Sequence, residues 1–525
     1  MPEYFHELPL ESAPLFPHRE ALVYQGERLD YLALATHIRR FGQRLLDLGL
    51  SPLDRVGIFL EKRIETVCSL FSCSLAGGVF VPINPALKAD QVSHILNDCG
   101  IRFLITSQSR LAALGATLEH CPTLETLILV DEPSADTQLI ARQPRVPYDE
   151  ASTPPLLDSH ATLPTNMVAI LYTSGSTGKP KGVVLSHQNL VLGAKSVARY
   201  LELTQHDRLL CALPLSFDYG LNQVNTAFLS GACAVLLNYL MPHDVLRRID
   251  AEQITGLAAV PPLWIQLAQL SWPASCSLRY FTNSGGALPQ QTLNQLRVKL
   301  PNASPYLMYG LTEAFRSTFL PPSEIDRRPG SMGKAIPYAE ILVVREDGTP
   351  CAPHEPGELV HRGPLVSLGY WNDASKTAER FKLSPTTPTP LQLPEYAVWS
   401  GDTVKMDDNG FLYFVGRRDD MIKTSGYRVS PTEIEEVIYA TGLVDEVVAL
   451  GIPHPMLGQA ILLVIVPLQS HETLDISQLK SLCQHKLPSF MVPQQIEIAQ
   501  QTPLPRNNNG KFDRRLIASW YSSSS

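Results

Sequence analysis

The chain has 525 residues, 44% hydrophobic and 18% charged, an ordinary globular composition too long for one compact core. Its formal net charge of −8, with no basic stripe or tail, argues against a nucleic-acid partner. Nine cysteines, an odd number scattered singly without a C-x-x-C, indicate neither a disulfide framework nor a zinc site but buried thiols in a reducing compartment. The start, Met1-Pro2-Glu3-Tyr4-Phe5-His6-Glu7, lacks the basic end and apolar run of a signal peptide. The longest apolar stretch, 460–467, falls short of the roughly 20 residues that span a bilayer. A cytoplasmic protein with no membrane span is therefore expected. Apolar, β-branched runs at 56–60, 79–83, 103–106, 126–130 and 167–172 predict buried strands, with helical spacing between them at 31–48 and 64–76. This alternation, carried through most of the first four hundred residues, predicts parallel sheets covered by helices. Pro- and Ser-rich stretches at 133–164 and 383–394 predict surface loops. Further on, 403–414 reads as a hairpin turning at Asp408-Asn409-Gly410, followed by a helix at 431–441 and strands at 444–452 and 461–466. The expected fold class is α/β. A large N-terminal domain, 1–417, would carry a small, hinged α+β C-terminal domain, 418–525.

The densest chemical signal is Tyr172-Thr173-Ser174-Gly175-Ser176-Thr177-Gly178-Lys179-Pro180-Lys181-Gly182, placed directly after a predicted strand. Bare backbone N–H groups, hydroxyls and ammonium charge are the mixture that phosphates require. The P-loop of nucleotide triphosphatases does not fit. Thr173 stands where its first glycine belongs, and Pro180 follows the lysine where Ser or Thr should ligate Mg²⁺. A flexible Gly/Ser linker is the plain alternative, disfavoured by the position after a strand.

This loop resembles the signature of the adenylate-forming superfamily: acyl-CoA synthetases, amino-acid adenylation domains and beetle luciferases. The resemblance covers nearly the whole chain. Ala76-Gly77-Gly78-Val79-Phe80-Val81-Pro82-Ile83-Asn84-Pro85, Tyr309-Gly310-Leu311-Thr312-Glu313, Gly357-Glu358-Leu359, Ser400-Gly401-Asp402, Gly416-Arg417-Arg418-Asp419 and Asn509-Gly510-Lys511 follow in family order. It implies ATP and Mg²⁺, formation of an acyl-AMP, and transfer to the thiol of CoA or of carrier-protein phosphopantetheine. By the same resemblance Thr173, Ser174, Gly175, Ser176, Thr177, Gly178 and Lys181 cradle phosphates, with Thr312 touching phosphate and Glu313 holding Mg²⁺. Lys511 would stabilise charge at the α-phosphate, and a mobile loop suits a lysine that must enter and withdraw. Tyr309 and Gly310 would face adenine with Ser284, Gly285, Gly286 and Ala287, while Asp402 and Arg417 would hold the ribose. Asp419 matches the hinge, and Lys423 and Gly426 match positions that face the site during thioester formation.

Phe217-Asp218 departs from the aromatic–histidine pair of typical fatty-acyl and aryl-CoA synthetases and resembles amino-acid adenylation enzymes. A carboxylate in an apolar pocket is costly unless a cation meets it. That cation is either a substrate amine, the favoured reading, or Arg316 in an internal pair. Arg316 could instead grip a second substrate carboxylate in bidentate fashion. Tyr219, Asn222, Ala259, Thr282, Met308 and Ser317 resemble the remaining pocket positions, joined by Ser284. Their polarity disfavours a long alkyl chain. The expected substrate is a small amino or amino-dicarboxylic acid, loaded on an acyl or peptidyl carrier protein. The alternative is an amine-free acid with CoA. No carrier segment follows Trp520-Tyr521, so a free-standing enzyme is expected. A luciferase-like oxygenase conflicts with the polar pocket, and a non-catalytic nucleotide binder conflicts with the presence of Lys511, Glu313 and Asp402.

Overall fold

A computed structural model describes residues 1–131, 145–148, 162–173, 180–273, 275–386, 394–417, 421–468, 474–499, 503–506 and 512–521, without the side chains of Arg417 and Arg515. Three sheets organise the chain. The first has seven strands and runs Arg145–Pro147, Thr126–Leu129, Phe103–Thr106, Arg55–Phe59, Val79–Pro82, Met167–Thr173, Lys181–Ser186. All its neighbours are parallel except the last pair, a hairpin in which Thr173 faces Lys181. The second, of fourteen strands, has a parallel centre built from Cys233–Leu236, Arg208–Cys211, Gly256–Ala259, Tyr280–Asn283 and Ser304–Tyr309.

Helices fill the space between these sheets. Ile64–Leu75 carries only small polar residues beyond Glu65, and each residue from Thr66 to Ser74 is buried, as a helix sandwiched between layers requires. Tyr31–Asp47 packs against it. Asp30 caps that helix by accepting from Ala33 N, and its apolar face turns inward at Leu34, Ile38, Phe41 and Leu45. Seven of the nine cysteines are buried.

The expectation of parallel pairing fails beyond Tyr309. From Thr318–Leu320 onward, through Ser331–Ala335, Glu340–Val344, Gly357–Arg362, Tyr396–Met406 and Leu412–Arg417, the pairs are antiparallel. The link 407–411 is a short turn, and it joins Tyr396–Met406 and Leu412–Arg417 as an antiparallel hairpin. The expected loop at 133–164 also holds a short strand, Arg145–Pro147, which extends the first sheet. Leu383 closes the strand Phe381–Leu383 instead of opening a loop.

The third sheet joins Ile422–Thr424, Tyr427–Val429, Val444–His454, Gly458–Pro467 and Gln495–Ile498, with helices Pro431–Tyr439 and Ile476–Lys486 over it. Its core of Ile434, Ile438, Val447, Ile461, Leu463 and Leu479 is separate from the cores of the large part. The molecule is thus a large mixed α/β body with a small α+β domain. Among the described residues no helix is long and apolar enough to cross a membrane.

Candidate active site

The parallel strands of the second sheet end on one edge, where open α/β sheets collect ligands. Cys211 leads through residues 212–217 to Asp218, the first residue of the helix Asp218–Leu229. Asn283 leads to Ser284 and Gly285, and Tyr309 leads to the turn Thr312–Ala314. From the first sheet, Thr173 arrives at the end of its strand. The small domain contributes Lys423, Gly426, Tyr427 and Arg428. Thr173, Phe217, Asp218, Ser284, Gly285, Tyr309, Thr312, Glu313 and the four small-domain residues border one cavity of about 420 Å³.

The phosphate-like end is a dense charge cluster. Glu313 is 3% exposed, and the Tyr370 hydroxyl donates to its Oε1 at 2.5 Å. Burial pushes its carboxyl up, but Arg380, Arg428 and Lys181 outweigh this and hold it below the usual range. Lys181, paired opposite Thr173, lies with Nζ 4.2 Å from the centre of the Tyr370 ring. Burial lowers its ammonium to about 8, helped by the like charges of Arg428, Arg380 and Lys376 and opposed by Glu313. Mg²⁺ takes a carboxylate with phosphate oxygens and water. A buried, ionised Glu313 beside Thr312 supplies that donor, and the surrounding cations suit the phosphates.

At the nucleoside-like end the Tyr309 hydroxyl donates to Asp402 Oδ2 at 2.6 Å. Asp402 lies within the strand Tyr396–Met406, held there by Glu358, which accepts from Gly401 N at 2.9 Å, and by Ser400, whose hydroxyl donates to Leu359 O at 2.7 Å. The main chain of Arg417 pairs opposite Asp402 across two strands. Gly310 and Gly285 border the cavity; Gly286 and Ala287 occupy the same turn as Gly285 but do not line it.

Asp218 and Arg316 mark the acid-like end. Arg316 Nη1 lies 3.9 Å from Asp218 Oδ2, within ion-pair range but too far for a hydrogen bond. The guanidinium stacks 4.5 Å over the Tyr219 ring, and its buried Nε has no hydrogen-bond partner. The backbone aims it there at some strain: Phe315 and Arg316 have φ of +49° and +147°, conformations costing roughly 1–3 kcal/mol each. Phe315 is buried against Gly193. Tyr219, Asn222, Thr282, Met308 and Arg316 also surround a smaller cavity of about 20 Å³ behind this end. The Tyr219 and Thr282 hydroxyls bond at 2.6 Å. Ala259 meets Tyr219 through its backbone. Ser317 does not reach the cavity; its hydroxyl bonds His361 Nδ1 at 3.0 Å.

The small domain presses its hairpin into this edge. Gly426, at φ +81°, comes so close that an added Cβ would lie 2.8 Å from Val260 Cγ1. Ser174, Gly175, Ser176, Thr177, Gly178, Asp419 and Lys511 lie outside the described residues, as does the side chain of Arg417. Among the described residues, Arg506 and Phe512, which flank Lys511, do not line the cavity. Sequence reasoning missed Tyr370, Arg380, Arg428 and Lys62. None of them stood out in the sequence; Lys62, for one, lies in the charged run Glu61-Lys62-Arg63.

Comparison with known proteins follows the same outline. Residues 10–371 match the family described as AMP-binding enzyme, and 433–511 match the AMP-binding enzyme C-terminal domain. The chain is 28% identical over 515 residues to gramicidin S synthase 2 of Brevibacillus brevis, covering 97% of this chain but only 11% of that protein. It is 28% identical over 513 residues to feruloyl-CoA synthase of Amycolatopsis sp, covering 96% of each. Among solved structures, o-succinylbenzoate CoA synthetase of Bacillus subtilis is similar at 26% identity, as a double mutant bound to its product analogue, with a TM-score of 0.81 over 98% of both chains. The same synthetase in complex with its acyl-adenylate intermediate gives 0.68 at 27% identity, over 97% of each.

Proposed function

This chain belongs to the AMP-binding enzyme family of adenylate-forming ligases, and from that premise we propose that it activates a small amine-bearing carboxylic acid and passes it to a phosphopantetheine thiol. In the first step the acid's carboxylate attacks the α-phosphorus of ATP and pyrophosphate leaves, giving acyl-AMP. In the second, a thiolate attacks the acyl carbonyl and AMP leaves, giving the thioester. The observation that carries this reading is one cavity bordered by Glu313 and Arg428 of the charge cluster, by Asp218 and Arg316, and by the Gly426 hairpin.

Charge and placement support the following roles, and family resemblance alone supports those of the glycine-rich loop and Lys511. Thr173, Lys181 and Thr312 bind phosphate oxygens, joined by the glycine-rich loop. Glu313 holds Mg²⁺, which when bound neutralises developing phosphate charge. Tyr309 and Asp402 hold the adenosine, and Lys511 swings in for the first step. Lys423 and Gly426 serve the second. The docked hairpin supports that assignment, as does the higher TM-score to the synthetase bound to a product analogue than to its adenylate complex.

Asp218 reads the acid's amine. At 3.9 Å Arg316 neutralises it only loosely, and a ligand ammonium at hydrogen-bond distance would satisfy a desolvated carboxylate far better. A carrier protein is the thiol donor that such a substrate suits. The second reading, an amine-free acid with CoA, is favoured by the same 3.9 Å contact and by the place of Asp218 in the first turn of a helix, whose dipole offsets its charge.

ATP–pyrophosphate exchange across amino, β-amino, dicarboxylic, aryl and fatty acids separates them. The expected result is exchange confined to amine-bearing acids and lost at least roughly a hundredfold in Asp218→Ala, with ATP binding retained. Exchange with amine-free acids, undiminished in that variant, would establish the second reading.

A further inference from the structure

Lys62 lies just past the strand Arg55–Phe59 with its side chain on the cavity wall, 9% exposed. Its backbone is pinned by the Asn238 side chain, which accepts from Lys62 N at 3.3 Å and donates to Lys62 O at 2.7 Å. Its Nζ donates to the Ala212 carbonyl at 2.9 Å, which satisfies one of three donors. Among the described residues it has no ion-pair partner. The adjacent Glu61 lies with Arg63 and Arg110. The one ionisable group among the described residues that acts on it, Cys211, has a thiol that burial pushes up to about 12, and so carries no charge near neutral pH. Burial lowers the Lys62 ammonium itself to about 8. A desolvated cation facing open cavity space without a counter-anion is unfavourable unless a ligand brings one.

The position of Lys62 says which ligand. The small cavity behind Asp218 is bordered by Tyr219, Thr282, Met308 and Arg316 and does not reach Lys62. Lys62 shares its wall with Tyr239, whose ring is near enough to Tyr427 for its ionisation to feel that neighbour. Tyr427 stacks on Phe490 at 3.7 Å, and both belong to the small domain. Lys62 therefore stands on the flank where the two domains meet, outside the small cavity behind Asp218.

We infer that Lys62 is an anion-binding residue of the acceptor channel, its ammonium taking a phosphate oxygen of the phosphopantetheine arm. This rests on the thioester step proposed above. The chemistry is that of any anionic oxygen, so a second acidic group on the substrate is the competing source.

The test compares wild type, Lys62→Met, which keeps the stem and removes the charge, and Lys62→Arg. Each is assayed for pyrophosphate exchange and for thioester formation with 4′-phosphopantetheine and with pantetheine, which differ only in the phosphate. We expect Lys62→Met to exchange normally while its KM for phosphopantetheine rises roughly tenfold or more and its KM for pantetheine stays put. Lys62→Arg should recover most of the loss. Equal effects on both thiols, or none, would overturn the inference and leave Lys62 as a strut for the Ala212 carbonyl. A raised KM for the acid in exchange would overturn it too, and assign the lysine to the substrate. A wild type that exchanges pyrophosphate but loads neither these thiols nor a phosphopantetheinylated carrier would overturn the thioester reading itself, and this inference with it.

Discussion

Glu313 keeps a full negative charge where water scarcely reaches it. Arg380, Arg428 and Lys181 surround it, and replacing it by glutamine would preserve its shape while leaving those cations to face one another. Glu313→Gln is expected to lower pyrophosphate exchange by about 10²–10³-fold with the fold intact by circular dichroism. Near-normal exchange would remove Glu313 from the chemistry. The residue was legible because it closes an unbroken run, Tyr309 to Glu313, whose members act together. Its partners were not. Tyr370 sits 57 positions away in an aromatic Gly369-Tyr370-Trp371 stretch that reads as core. Lys62, which is no partner of Glu313, was hidden for another reason: it lies within Glu61-Lys62-Arg63, which reads as a solvated run, while the Asn238 side chain, 176 residues away, bonds its backbone.

At the scale of elements, the strands that β-branched runs announced are present nearly to the residue, since a strand buried on both faces leaves a continuous apolar signature. Direction is harder to read. The strands after Tyr309 carry more polar residues, as Gly357–Arg362 does in Glu358, His361 and Arg362, but that alone does not fix how they pair. The hairpin Ile422–Thr424 with Tyr427–Val429 shows how a short element acquires a role. Ser425 and Gly426 both have positive φ, at +53° and +81°, as a tight two-residue turn requires. The turn's tip then touches Val260 with no room for a side chain. Gly426→Ala should leave pyrophosphate exchange within about twofold while slowing thioester formation roughly tenfold or more. A parallel fall in both would mean that the glycine serves folding alone.

For the whole molecule, the docked arrangement is itself sensitive to pH. Glu433 of the small domain accepts from Gln91 Nε2 of the large one at 2.9 Å, and its other oxygen is buried without a hydrogen bond. Burial raises its carboxyl from 4.5 to about 7; the Gln91 bond opposes this and the Glu436 charge adds to it. The docked state thus binds a proton that the undocked state releases. Docking is strongest below the free value, weakens by up to about tenfold per pH unit as pH climbs toward 7, and is flat above it. The ratio of thioester formation to pyrophosphate exchange should follow that decline between pH 5.5 and 7, and Glu433→Gln should flatten it. An unchanged slope in that variant would place the titration elsewhere. Tyr427 of the small domain meets Phe217 edge-on at 4.9 Å, and Phe217 adjoins Asp218. In the domain movement proposed for the two steps, one ring would roof the other only in the closed state. A mixed anhydride formed beneath would be sheltered in that state and open to water in the other. Futile hydrolysis of ATP, the standing leak of any enzyme that makes so reactive an intermediate, would then be governed by how promptly the small domain swings shut, and not by how tightly the large one grips its acid.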